Sequence, residues 1–394
     1  MFLDNISDID TEVSNYSLVV LKDSNYYNIN DVKDKNIGIL NTDNSYYNEA
    51  LDNLREDITF KDSKYENEYL LAYGLLEKNV EVILINEAYI AILDDGIKDF
   101  SSNVRILENA TVEVQIEKEI KDSNTKEEEK VANNSGAFNV YISGIDTYGN
   151  IASVSRSDVN IIATVNPTTS EILLTNVPRD MYVELYGKGA KDKLTHAGVY
   201  GINTSVGTLE NFLDIDISYY VRINFSSLIK IVDYIGGIDV YSEYAFRAGD
   251  RYFVSGMNYG LSGKEALYFS RNRYAFKDGD RQRGRNQEQV IAAIINKITS
   301  SKDINVYYNL INTLQNSFQT NISRETISEF ISMQLKNNYK WDISFSDVNG
   351  YDSSNYTYSY PWQKLYVMEV DYDSLESAKS KINSVLNNNQ KRQS

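Results

Sequence analysis

The sequence predicts an α/β protein built in two parts, and three features of the chain carry that expectation. Up to residue 94, β-branched and aromatic runs alternate with stretches of helical spacing, the pattern of strands connected by helices. An almost wholly polar segment then intervenes from Lys121 to Gly136, too poor in apolar side chains to bury a core. A second, sharper series of strand and helix patterns follows it.

In the first part, residues 16–21 (Tyr-Ser-Leu-Val-Val-Leu) and 36–40 (Asn-Ile-Gly-Ile-Leu) read as short buried strands. Helices fit 45–56 and 66–78, a strand fits 81–85, and a further helix fits 87–94. The polar stretch reads as a linker; a charged hairpin inside one domain is the alternative. In the second part Phe138–Ile145, Asp158–Val165 and Glu171–Val177 are β-branched or aromatic runs, and Tyr219–Phe225 and Gly237–Tyr241 are further strand candidates. Helices are expected near 207–213, 226–235, 263–269, 286–299, 303–317 and 323–336. A last unit runs from Trp341 to about Leu386, with a helix at 373–386 and a polar tail after it.

Composition narrows the chemistry. The 394 residues carry a formal charge of −17, with 42% apolar and 24% charged side chains. That acidic balance argues against a nucleic-acid binder, which needs a broadly basic face. No cysteine occurs, which removes disulfides, thiolate catalysis and cysteine-based metal sites. His196 is the only histidine, so histidine-pair metal motifs are excluded; with no partner evident it reads as structural. The longest apolar runs, such as Val80–Ile85 and Ile291–Ile295, fall far below the roughly 18 residues that suggest a membrane span.

Against this acidic background one segment stands out. From Arg271 to Arg285 the chain holds six cations, five of them arginines, against two carboxylates, a net of +4. Such a concentration carries self-repulsion unless it meets an anion, and the arginine fork suits phosphate. A helix expected to open after Asp280 places Arg283 and Gln287 on one face and aims backbone N–H groups the same way. Arginine at a helix start opposes the helix dipole, a local conflict that favours a functional reason. Other polar residues fall just beyond strand ends: Asp146, Arg156 with Asp158, and Arg179-Asp180 behind Pro178. Loops of that kind collect ligands in α/β folds. Asp146 and Asp158 are the hard oxygen donors magnesium takes alongside phosphate, although each alone reads equally as a turn cap. Gly187-Lys188-Gly189 and Gly263-Lys264-Glu265 fall short of the dinucleotide and Walker patterns, and no serine-nucleophile elbow is readable.

From about Phe138 to Ile298 these motifs resemble the LytR-CpsA-Psr family of bacterial cell-wall glycopolymer ligases. The resemblance rests on Gly144-Ile145-Asp146, Ser155-Arg156-Ser157-Asp158-Val159, Val177-Pro178-Arg179-Asp180, Asp192-Lys193-Leu194-Thr195-His196-Ala197, Gly236-Gly237-Ile238, Gly263-Lys264-Glu265-Ala266-Leu267, Arg271-x-Arg273 and Gly279-Asp280-x-x-Arg283-x-x-x-Gln287. Each is weak alone; their order and spacing together are specific. Thr195, Ile202 and Arg281 depart from the frequent residues, and none of these is an acidic or phosphate-site arginine position. Trp341 and Thr357-Tyr358-Ser359 look like the usual end of the domain.

The resemblance implies an α-β-α sandwich with a central mixed sheet over residues 137–387, and an apolar channel for a polyprenyl chain. It further implies a smaller α/β accessory domain over 1–120, a linker over 121–136 and a tail over 388–394. The implied reaction moves a glycopolymer phosphate (teichoic acid, capsule or a related wall glycan) from a polyprenyl diphosphate carrier to a peptidoglycan hydroxyl. By position, Asp146 and Asp158 would hold magnesium, with manganese as its substitute. Arg156, Arg179, Arg271, Arg273, Arg283 and Gln287 would bind the diphosphate. Asp280, Arg271 and Arg283 would be catalytic, Asp280 by orienting arginines, helping with the metal or accepting the attacking hydroxyl's proton. The implied setting is the outer face of a bacterial membrane, reached through an anchor outside this chain. A polyprenyl diphosphate phosphatase and a non-catalytic polyprenyl-phosphate-binding module are the alternatives.

Overall fold

The computed structural model describes residues 11–115, 136–145, 151–313 and 317–389. The expected linker and Asp146 lie outside the described residues.

The first part is a five-stranded mixed sheet. β1 (Thr11–Leu21), β2 (Asn36–Leu40), β3 (Lys61–Tyr65), β4 (Val82–Asn86) and β5 (Val104–Gln115) are arranged β3-β2-β4-β1-β5. β2, β3 and β4 run parallel, linked by α1 (Ser45–Asp57) and α2 (Glu68–Leu76), while β1 is antiparallel to both β4 and β5. Asn44 and Asn67 cap the two helices by accepting Tyr47 and Leu70 N–H bonds. The helix α3 (Glu87–Gly96) follows β4 directly, with Ala88, Ile92 and Leu93 buried. The expected elements all form here. β3 and β5 are additions to the sequence reading: β3 is an edge strand of five polar residues, Lys-Asp-Ser-Lys-Tyr, with no apolar alternation to announce it.

The second part has a six-stranded mixed sheet at its centre. β6 (Phe138–Ile145), β7 (Ser157–Asn166), β8 (Glu171–Asn176), β11 (Tyr219–Asn224), β16 (Phe318–Thr320) and β17 (Asp342–Asp347) are ordered β16-β11-β6-β7-β8-β17. Short hairpins add β9 (Tyr182–Glu184), β10 (Lys191–Lys193), β12 (Ile238–Ser242), β13 (Phe246–Ala248), β14 (Arg251–Phe253), β15 (Gly256–Leu261), β18 (Gly350–Asn355) and β19 (Leu365–Val370). The helices are α4 (Ile202–Leu213), α5 (Phe225–Tyr234), α6 (Gly263–Arg271), α7 (Asp280–Thr299), α8 (Ile304–Thr313), α9 (Arg324–Asn337) and α10 (Tyr372–Leu386). The helix over 286–299 opens at Asp280, the start that the spacing of Arg283 and Gln287 implied, six residues before its apolar periodicity.

Alternate residues of β7 supply the two faces. Ile162 packs with Leu209 and Leu213 of α4 and Leu375 and Ile382 of α10, while Ile161 and Ala163 pack with Ala292 of α7. Helices on both faces make the expected sandwich. β6 and β11 are parallel, Ile145 lying beside Asn224; β7 is antiparallel, so Ser157 at its start lies beside Ile145, and Asn176 ends β8 beside Ile161. Two strand ends, one strand start and the loop after β8 thus meet at one edge of the sheet.

The two parts are in direct contact. Val13 of β1 exchanges backbone bonds with Ala152 and Val154 at 2.9 Å each. Tyr360 and Leu365 of the second part sit in the core of the first with Leu71, Leu75 and Phe100.

Candidate active site

At that edge lies a cavity of about 380 Å³, within the range of small-ligand sites. Its lining combines arginines, acidic residues and apolar side chains. Arg156, Arg179, Arg271, Arg273, Arg283 and Gln287, the six residues expected to meet a diphosphate, all line it together with Asp158. Ile142, Ile223, Phe225, Leu228, Leu267 and Val290 line the rest. Phe225 and Leu228 open α5, so that helix serves both the cavity and the core behind it.

Asp158 is the second residue of β7, set beside the loop after β8 by the antiparallel pairing. Its Oδ1 takes Arg179 Nη1 at 3.1 Å and the Thr195 hydroxyl at 3.0 Å. Burial alone would raise this carboxyl, but Arg179, Arg156 and Arg283 outweigh it and hold it below the usual carboxylate range. It is therefore a charged oxygen donor facing the cavity, the chemistry a hard divalent cation takes. Among the described residues, no group of three or more acidic or histidine side chains is arranged to hold a metal, and Asp146 is outside them.

Asp280, the first residue of α7, binds Arg283 Nη2 at 2.6 Å and lies 3.8 Å from Arg179 Nε. Burial pushes its carboxyl up, more than Arg283 and Arg179 pull it down. Arg179 Nε also sits 3.5 Å from Asp180. The guanidinium of Arg179 is destabilised by burial, yet Asp158, Asp180 and Asp280 hold its proton more tightly than normal. Arg283 is the reverse case, its burial only partly offset by Asp280. Gly284 lets α7 come this close: a Cβ there would lie 2.3 Å from Asn176 Nδ2 at the end of β8.

The remaining arginines sit further out. Arg271 closes α6 with its guanidinium 4.0 Å from the Phe225 ring centre. Arg273 donates to the Tyr274 hydroxyl at 2.9 Å. Two other arginines of the basic segment serve the fold: Arg281 donates to the Gly350 carbonyl at 2.6 Å, and Arg285 binds Gln282.

The sequence reading missed Asp95. This residue near the end of α3 lines the cavity from the first part of the chain. Its carboxylate lies 2.7 Å from Lys193 Nζ, 3.5 Å from His196 Nε2 and 3.6 Å from Arg156 Nη1. Nothing local marks Asp94-Asp95-Gly96 as more than a polar helix end. His196, completely buried, gains the partners its sequence context did not reveal: its Nδ1 lies 2.7 Å from Asp192, itself bonded by Ser359.

The family model described as the LytR_cpsA_psr family matches residues 104–383. A polyisoprenyl-teichoic acid–peptidoglycan teichoic acid transferase, TagU, of Bacillus cereus is 35% identical over 221 residues, 56% of this chain and 70% of that protein. The transferase of the same name from Bacillus subtilis is 35% identical over 242 residues, 61% of this chain and 74% of that one. Among solved structures, B. subtilis TagV superposes with a TM-score of 0.55 at 28% identity, over 64% of this chain and 98% of that chain. A structure described as TagT bound to LIIa-WTA gives 0.50 at 27% identity, over 64% and 91%.

Proposed function

The chain belongs to the LytR-CpsA-Psr family, and from that premise we propose that it transfers a teichoic-acid-like glycopolymer from a polyprenyl diphosphate carrier to peptidoglycan. One observation carries the reading: a single cavity is lined by five arginines and by apolar side chains such as Ile142, Ile223, Phe225, Leu228, Leu267 and Val290. A lipid diphosphate combines the same two characters, charged at one end and hydrocarbon at the other.

The chemistry follows from positioning and charge neutralisation, which is most of what phosphoryl transfer requires. Arg156, Arg179, Arg271, Arg273 and Arg283 bind the diphosphate oxygens, and Gln287 adds an amide donor. An acceptor sugar hydroxyl attacks the phosphorus that carries the glycopolymer. The new P–O bond makes the phosphodiester, and the broken P–O bond releases polyprenyl phosphate with its electron pair. Asp280 accepts the hydroxyl proton; burial makes it a stronger base than an exposed aspartate, and its bond to Arg283 holds that arginine at the phosphate. Magnesium, or manganese in its place, would be held by Asp158 with Asp146 and would neutralise charge on the diphosphate oxygens. We place the reaction at the outer face of a bacterial membrane.

Incubation with a labelled polyprenyl-diphosphate saccharide and peptidoglycan tests the reading, which expects label on the peptidoglycan. Label released as soluble saccharide phosphate would point instead to a phosphatase. Bound but unconverted lipid would point to a binding module.

A further inference from the structure

Arg156 is one of the arginines that line the cavity, and its Nη1 reaches across to α3 of the first part. Nη1 donates to the Ala91 carbonyl at 3.2 Å and lies 3.6 Å from Asp95. The same carboxylate holds Lys193 at 2.7 Å and faces His196 at 3.5 Å. Lys193 and His196 are both buried, so Asp95 is the counter-charge of a desolvated cationic group as well as a support for Arg156.

The helix that presents Asp95 is itself fixed. Ile92 and Leu93 are buried in the core of the first part, and Gln363 of the second part donates to the Gly96 carbonyl at 2.5 Å. Lys193 also lies 3.5 Å from Asp180, which stands beside Arg179. A continuous row of opposite charges therefore runs from Asp95 through Lys193 and Asp180 to the arginine that binds Asp158.

We propose that the accessory domain completes the diphosphate site, with Asp95 as a positioning residue that holds Arg156 at the cavity. A guanidinium on a long side chain loses rotamer entropy on binding; one already tethered at Ala91 and Asp95 has lost it beforehand. Asp95 touches no substrate atom in this scheme. It acts through Arg156, and the accessory domain becomes part of the active site rather than a spacer.

This inference rests on the proposed lipid diphosphate site, and the experiment separates the two. The affinity of the whole chain for geranylgeranyl diphosphate is measured by calorimetry for wild type, Asp95→Asn, Arg156→Ala and the double variant, with circular dichroism as the folding control. Asp95→Asn weakens affinity on the order of tenfold, as loss of a supporting contact does, and costs nothing further once Arg156 is alanine. An unchanged affinity in Asp95→Asn, or losses that simply add in the double variant, would overturn the role. If wild type did not bind, the lipid diphosphate reading would fall instead. The nuclear magnetic resonance signal of the single histidine then still reads the geometry: it shifts in Asp95→Asn if the carboxylate faces His196, and an unmoved signal contradicts the contact. Asp95→Ser is the second neutral variant should Asp95→Asn not fold.

Discussion

Glu12, on the first strand of the five-stranded sheet, is ion-paired at 2.8 Å with Arg222, which is only 2% exposed on β11 in the central sheet. Glu12 also accepts the Ile202 N–H at the start of α4, and Arg222 donates to Gln319 and to the Ser153 carbonyl. One ion pair thus joins β1, the central sheet, the start of α4 and the loop that leads to Arg156.

Removing that carboxylate leaves Arg222 buried without its counter-charge. Glu12→Ala is expected to destabilise the protein by about 3–5 kcal/mol, the usual consequence of breaking a buried pair from one side. Urea denaturation followed by far-ultraviolet circular dichroism measures it, and a change below about 1 kcal/mol would mean that water reaches Arg222.

Gly198 packs against the backbone that carries Arg156. A Cβ there would lie 2.5 Å from the Ser155 carbonyl oxygen and 2.8 Å from the Ser157 nitrogen. Main chain cannot swing aside as a side-chain tip does. Gly198→Ala should therefore cost about 1–3 kcal/mol of stability and reduce transfer at least tenfold through displacement of Arg156 and Asp158, of the order expected for sub-ångström misplacement. Steady-state transfer rates beside melting curves separate the two effects.

Arg271 and Arg283 reach the cavity from the end of α6 and the start of α7. Arg271→Ala or Arg283→Ala should lower transfer by about 10²-fold or more while far-ultraviolet circular dichroism stays that of wild type. Full activity in either variant would remove that residue from the mechanism.

Asp158 and Arg179 were legible in the sequence because they adjoin strand runs that a buried sheet makes obvious, and Arg271 and Arg283 because they stand in a basic segment of an acidic chain. β6 is recovered to the residue and β7 and β8 to within one, since these strands are covered on both faces and are rich in apolar and β-branched residues. β3 escaped because an exposed edge strand needs no apolar alternation, and β5 because polar residues such as Glu108 and Asn109 interrupt its apolar ones. Asp95 escaped for a different reason. Its partners Arg156, Lys193 and His196 lie in the second part of the chain, and no local periodicity encodes a contact made only when two sheets pack together. His196 looked structural without a partner, and the fold supplies two.

Those partners give His196 a pH dependence. Burial would drive the ring neutral, but Asp192 and Asp95 outweigh burial and raise its pKa above the ordinary value of 6.5; Lys193, bound to Asp95, is the neighbouring cation. A group whose pKa rises on folding stabilises the fold fully below its unfolded pKa and loses that contribution as pH climbs through the folded one. Stability from this site should thus be whole below about pH 6.5 and decline above it. Asp192 and Asp95 are both held below the ordinary 3.8, so their contribution is present above that value and is lost as pH falls through the folded one. A nuclear magnetic resonance titration of the single histidine checks the first part directly; a midpoint below 6.5 would contradict it.

Phosphorus nuclear magnetic resonance on a reaction of polyprenyl-diphosphate saccharide with peptidoglycan, with magnesium and then with chelator, tests the central claim most directly. The diphosphate signals should give way, one for one, to a phosphodiester on peptidoglycan and a polyprenyl monophosphate. Chelator should stop the conversion and added magnesium restore it. Two monophosphates with no phosphodiester, or a diphosphate that binds and persists, would contradict it.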